Sequence, residues 1–97
     1  MLTGKQKRFL RSKAHHLTPI FQVGKGGVNE NMIKQIDDVL ESRELIKVSI
    51  LQNCDEDRND VAQDLSKGAH AQVVQIIGNT IVLYKQSKEN KQIVLPS

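Results

Sequence analysis

Apolar positions along this chain repeat with two periods, and each change of period marks a boundary between elements. Thr3 followed by Gln6 has the spacing of a capping box, and Phe9, Leu10 and Ala14 continue at helical spacing. The pattern predicts a first helix over residues 4–15, ended by Leu17-Thr18-Pro19, because proline disfavours helical geometry in the residue before it. Residues 20–23 read as a short strand running into a glycine-rich loop at 24–27. Met32, Ile33, Ile36, Val39 and Leu40 then recur at helical intervals and predict an amphipathic helix over 29–43. From 45 to 51 the period shortens: Ile46, Val48 and Ile50 alternate with Lys47 and Ser49, as in a strand with one buried face. Val61, Ala62 and Leu65 form the stripe of a third helix over 57–67, with acids in its first turn and Gly68 placed as its C-terminal cap. The β-branched runs 71–77 and 80–85 flank Gly78-Asn79, a dipeptide suited to a two-residue hairpin turn. The tail 86–97 is polar as far as Ile93-Val94-Leu95-Pro96, and reads either as a short edge strand or as loosely packed chain.

The order α-β-α-β-α-β-β places the chain in the α/β class as an α+β two-layer sandwich, a mixed four-stranded sheet with helices packed against it. Its 97 residues suffice for one domain, 1–97, with a modest core. The composition, 38% hydrophobic and 26% charged, is that of a folded soluble protein. No apolar run approaches the roughly 20 residues that cross a bilayer, and the basic start M-L-T-G-K-Q-K-R lacks the apolar stretch of a signal peptide. A cytoplasmic location is expected, in agreement with the single cysteine, Cys54, which cannot form an internal disulfide.

Charge changes the picture more than composition does. The formal net charge of +3 conceals a segregation: residues 1–27 carry +6 with no acid, residues 28–66 carry −6, and residues 67–97 carry +3. A polyanion-binding surface at one end and a solvated acidic surface at the other follow from that asymmetry.

Residues 24–27, Gly24-Lys25-Gly26-Gly27, lie at a strand-to-helix junction. Glycines let a backbone approach phosphate closely, and the first turn of the next helix adds unpaired N–H groups and a positive dipole end. The string lacks the Lys-Ser/Thr of a P-loop, and Asn29 stands where a dinucleotide fingerprint needs its third glycine, so nucleotide binding is not expected. A short Gly-x-x-Gly loop is the device by which KH-type modules clamp a nucleic-acid backbone. On the preceding helix Lys5, Arg8 and Arg11 recur at intervals of three, with Lys7 and Lys13 beside them, and extend the cationic surface. Aromatics are few, Phe9, Phe21 and Tyr84, which disfavours a base-stacking sheet and leaves recognition to backbone and shape.

Other chemistry finds no support. Asp55, Asp57 and Asn59 imitate the start of an EF-hand, yet Asp60 replaces its glycine and Ser66 its glutamate. His15 and His16 are adjacent and diverge on a helix, extending the basic surface at most, while His70 and Cys54 are isolated. No nucleophile elbow is present, so the chain reads as a non-enzyme with no cofactor, metal or small-molecule substrate. Cys54 reads as a small core residue at the end of a strand. Asp37, Asp38, Glu41 and Glu44 read as a solvated surface open to a protein partner.

The loop at 24–27, the string E-L-I-K-V at 44–48 and the closing V-Q-I-I-G-N-T-I-V-L-Y-K at 74–85 together resemble the YhbY family, the stand-alone bacterial members of the CRM domain class. The resemblance implies a fold similar to the C-terminal domain of translation initiation factor three, and an RNA-binding protein associated with precursors of the large ribosomal subunit. It also implies that Gly24, Lys25, Gly26 and Gly27 contact RNA with the neighbouring basic surface, Lys5, Lys7, Arg8, Arg11 and Lys13. Where the family motif often ends its last strand with arginine this chain has Lys85, which keeps the charge but makes a weaker bidentate phosphate contact. The rival reading is a protein-interaction module that docks a ribosomal protein or assembly factor through its acidic helices.

Overall fold

The structure is a computed structural model that describes residues 2–97. Its elements follow the expected order: α1 (Gly4–Ala14), β1 (Phe21–Val23), α2 (Glu30–Arg43), β2 (Leu45–Ile50), α3 (Arg58–Ala69), β3 (Gln72–Ile77) and β4 (Thr80–Tyr84). The strands form one mixed sheet in the order β1-β2-β4-β3, in which β1 is parallel to β2 and β4 is antiparallel to both its neighbours. β1, β2 and β3 therefore point the same way. Both crossovers, through α2 and α3, step across the sheet in one direction, and the uniform hand of such connections puts both helices on the same face.

That face holds the larger core. Ile46, Val48 and Ile50 of β2 and Ile81 and Leu83 of β4 meet Ile36 and Leu40 of α2 and Val61 and Leu65 of α3, nearly all wholly buried. The alternate residues Leu45, Val82 and Tyr84 face the other way, with Val74, where Leu10 and Ala14 of α1 and Leu2 before it cover them. Burying each large side chain contributes about 1.5–3 kcal/mol, so these two clusters dominate the stability.

Local signals act as expected at most boundaries. Thr3 and Gln6 form the reciprocal capping box of α1, and Asn29 and Asp57 cap α2 and α3. The hairpin turns on Gly78, at φ 54°, with ordinary φ at Asn79, the pattern of a type II′ turn.

Three expectations are corrected. Gly68 does not cap α3 but lies inside it, and the left-handed capping residue is His70, at φ 54°. A Cβ at position 68 would come within 2.5 Å of the Ile33 side chain on α2, so this glycine permits the close approach of the two helices.

The tail after β4 adds no strand, nor is it loose. Glu44, wholly buried and at φ 66° between α2 and β2, accepts hydrogen bonds from the backbone N–H groups of Ser87, Gln92 and Ile93 at 2.6–2.8 Å. Glu41, one turn earlier, accepts from the Ser87 hydroxyl and the Lys88 and Glu89 N–H groups. Ile93 and Leu95 then pack against the smaller core. Glu44 and Glu41 are therefore not part of a solvated face. Desolvation pushes the Glu44 carboxyl up, but its three N–H donors together outweigh that and hold it below the ordinary 4.5. The Lys88 and Glu89 N–H groups and the Ser87 hydroxyl lower Glu41 likewise.

Two outcomes follow. Gly68→Ala gains about 1 kcal/mol of helix propensity but forces the contact with Ile33 apart at a cost of about 1–3 kcal/mol. Urea unfolding is expected to show net destabilisation, partly relieved by Ile33→Val, which removes the nearest atom. Glu44→Gln replaces a charged acceptor by a neutral one and is expected to cost about 1.5–3 kcal/mol at neutral pH. A carboxyl lowered on folding contributes stability that is present above its unfolded value of 4.5 and is lost as pH falls through the lower folded value. The gap between wild type and Glu44→Gln should therefore close in acid unfolding titrations below that pH.

Candidate nucleic-acid interface

β1 is only three residues long and ends at Val23, whose carbonyl accepts from Leu51 N–H. The chain then folds into a tight turn, closed by the Gly27 N–H donating to the Gly24 carbonyl at 3.0 Å. Gly26 and Gly27 take φ 96° and 68°, which residues with a Cβ rarely adopt. Nothing stands within 4 Å of where a Cβ on Gly26 would be, so its backbone is open to a ligand, and Lys25 beside it is exposed. Gly27 is buried, and a Cβ there would come within 2.7 Å of the Glu56 carboxylate. The β2–α3 connection leans on the loop, with Asn53 and Leu51 against Gly24 and Glu56 against Gly27. The loop thus has an acidic neighbour that the sequence did not place beside it.

α1 crosses the opposite face from α2 and α3. Its start is tied to the start of β3, where Leu2 N–H donates to the Gln72 side chain, and its last turn lies by Gln75, Ile77 and Thr80. The helix therefore runs along β3, and its C-terminal end arrives at the end of the sheet that carries the glycine turn. Arg11 and His15 reach this end and share a cleft with Lys47 of β2. Lys5, Lys7 and Arg8 lie on the earlier turns, so the expected residues form a track along the helix rather than a cluster around the loop. Lys13 is drawn over the Phe9 ring, 5.3 Å from its centroid. All six expected cations are exposed, and the one ion pair among the described residues joins Lys85 to Asp37.

That pair ties up Lys85. Lys47 was missed as a candidate, although the alternation of β2 already set it opposite Ile46 and Val48. What the pattern could not give was that α1 would choose Lys47's face. No group of three or more acids, histidines or cysteines able to hold a metal occurs among the described residues, and no helix is long and apolar enough to cross a membrane.

A mixed sheet with two helices on one face, a cationic helix on the other, and a glycine turn at the end of the sheet where that helix finishes defines an α+β module. The chain belongs to the CRS1/YhbY (CRM) domain family, whose model matches residues 2–85. It is 81% identical over 96 residues to the Bacillus subtilis protein named Probable RNA-binding protein YqeI, covering 99% of this chain and 100% of that one. It is 38% identical over 90 residues to a Haemophilus influenzae protein named RNA-binding protein, covering 93% and 91%. The solution structure of SAV1595 from Staphylococcus aureus superposes with a TM-score of 0.82 at 64% identity, over 99% of this chain and 100% of that one.

The loop's electrostatics give two variants of opposite sign. Lys25→Glu is expected to weaken binding of a structured ribosomal RNA in anisotropy titrations without altering the thermal unfolding midpoint. Glu56→Gln, which removes the negative charge beside Gly27, is expected to strengthen it by about twofold to threefold at low salt, where exposed charges are least screened.

Proposed function

We propose that this chain is a non-catalytic RNA-binding protein that acts as a single cytoplasmic domain on precursors of the large ribosomal subunit. RNA binding is supported by the names of its relatives in Bacillus subtilis and Haemophilus influenzae. The ribosomal role follows from the resemblance to YhbY proteins. The observation that carries the reading is the set of exposed cations, Lys5, Lys7, Arg8, Arg11 and Lys13 as a track along α1 and Lys25 on the glycine turn, all outside the one ion pair among the described residues. Phosphate is the ligand such a track fits, because each cation that neutralises one releases condensed counterions. In this reading Gly24, Gly26 and Gly27 let the backbone approach, Lys25 pairs with a phosphate, and the helix sets the direction of the RNA.

Docking of a protein partner through the acidic helices is weakened by the same structure. Asp37 is paired with Lys85, and Glu41 and Glu44 are occupied by the tail. Crosslinking in cells followed by sequencing of the bound RNA is expected to recover large-subunit ribosomal RNA and its precursor extensions. Recovery of no RNA, or of a protein partner whose binding survives charge reversal of α1, would overturn the proposal.

A further inference from the structure

The cleft between the last turn of α1 and the uncovered half of the sheet has features that phosphate binding alone does not require. It holds about 170 Å³ and is lined by Arg11, His15 and Lys47 together with Gln75, Thr80 and Ile77, without an acid. That volume is several times the ~30 Å³ of one water and well below the ~300 Å³ at which pockets for whole small molecules begin. It has room for one planar ring, with the rest of a nucleotide outside.

Its chemistry comes from a break in the sheet. β3 pairs Val73 with Leu83 and then Gln75 with Val82, so Val74 is an extra residue that opposes nothing on β4. Leu83 faces the α2–α3 core, whereas Val82 faces α1. Without the bulge, Gln75 would share Val73's face and drive its amide into the larger core. With it, Gln75 turns into the cleft beside Thr80, and Ile77, 59% exposed, lies beyond them. An amide that both donates and accepts and a hydroxyl that does either can read a base edge. Ile77 and the His15 imidazole offer surfaces for a base face, and Arg11 and Lys47 bring charge to the phosphates on either side.

We propose that this cleft receives one unpaired base of a bound RNA, so that the cleft engages single-stranded or bulged segments and not continuous duplex. The proposal rests on the RNA-binding reading and adds the structural class of the target. A sheet poor in aromatics does not oppose it, because a single base is held here by an edge and one imidazole rather than by a stacking platform.

Amide shifts of the labelled protein, followed on titration with short oligouridylate, short oligoadenylate and a fully paired RNA duplex, test it without any mutation. Shifts at Gln75, Ile77 and Thr80 are expected with the single strands and not with the duplex. In the Gln75→Ala/Thr80→Val variant, affinity for the preferred single strand should fall about tenfold, as for two lost hydrogen bonds, with duplex binding unchanged. Binding of both RNA forms with shifts confined to the glycine loop and the outer turns of α1 would overturn the cleft while leaving RNA binding intact. Absence of any RNA-dependent shift would overturn both.

Discussion

Placement of both crossover helices on one face of the sheet is the constraint on which the rest of the molecule depends. It makes Ile46, Val48, Ile50, Ile81 and Leu83 the floor of the main core and turns Leu45, Lys47, Val82 and Tyr84 the other way. α1 is short and covers only part of that second face, over β3, β2 and β4. The remainder, with Lys47 and the cleft, stays accessible at the end of the sheet where the glycine turn emerges. A single topological choice thus separates a covered face that stabilises the fold from an open face that is free to bind.

Charge is organised by the same division. The acids of α2 and its C-cap nearest the tail work inside the molecule: Glu44 and Glu41 bind backbone N–H groups of residues 87–93, and Asp37 holds Lys85. A carboxylate that accepts several N–H donors is stable even when shielded from water, which is how a wholly buried Glu44 keeps its charge. The tail it secures carries Ile93 and Leu95 onto the smaller core beneath the start of α1, steadying the platform from which the cationic helix projects. The cations on α1 and Lys25 are left to the solvent side. Glu56 is the local exception, an acid placed against the glycine turn, whose backbone at Gly26 is otherwise open to an anion.

Elements whose signals are local were legible in the sequence. The capping box of α1, the stripes of α2 and α3, the alternation of β2 and the Gly78-Asn79 turn each depend on residues a few positions apart, and each is present. Features set by distant partners were not. Glu44 meets donors 43 to 49 positions away, so it could not be told from a surface acid. Gly68 was assigned a cap because helix ends and helix–helix contacts both favour glycine, and only the position of Ile33 distinguishes them. The bulge at Val74 lies within a β-branched run with no glycine to mark it, which hid the direction of Gln75. The glycine loop and the cations of α1 stand out as candidates because three clustered glycines and a basic run free of acids are visible in the sequence itself. Their arrangement as a track, and the part of Lys47, needed the fold.

Whether α1 and the glycine turn hold RNA by its phosphates, as proposed, is read most directly from the salt dependence of binding. Binding to one structured ribosomal RNA would be measured over a range of salt concentrations for the wild-type chain and for a variant with Lys5, Arg8 and Arg11 replaced by glutamine. A steep linear fall of log K with log salt is expected, and the variant's slope should be shallower by roughly 0.7 to 0.9 for each phosphate contact removed. A shallow wild-type slope, or a steep one that the three substitutions leave unchanged, would contradict the account.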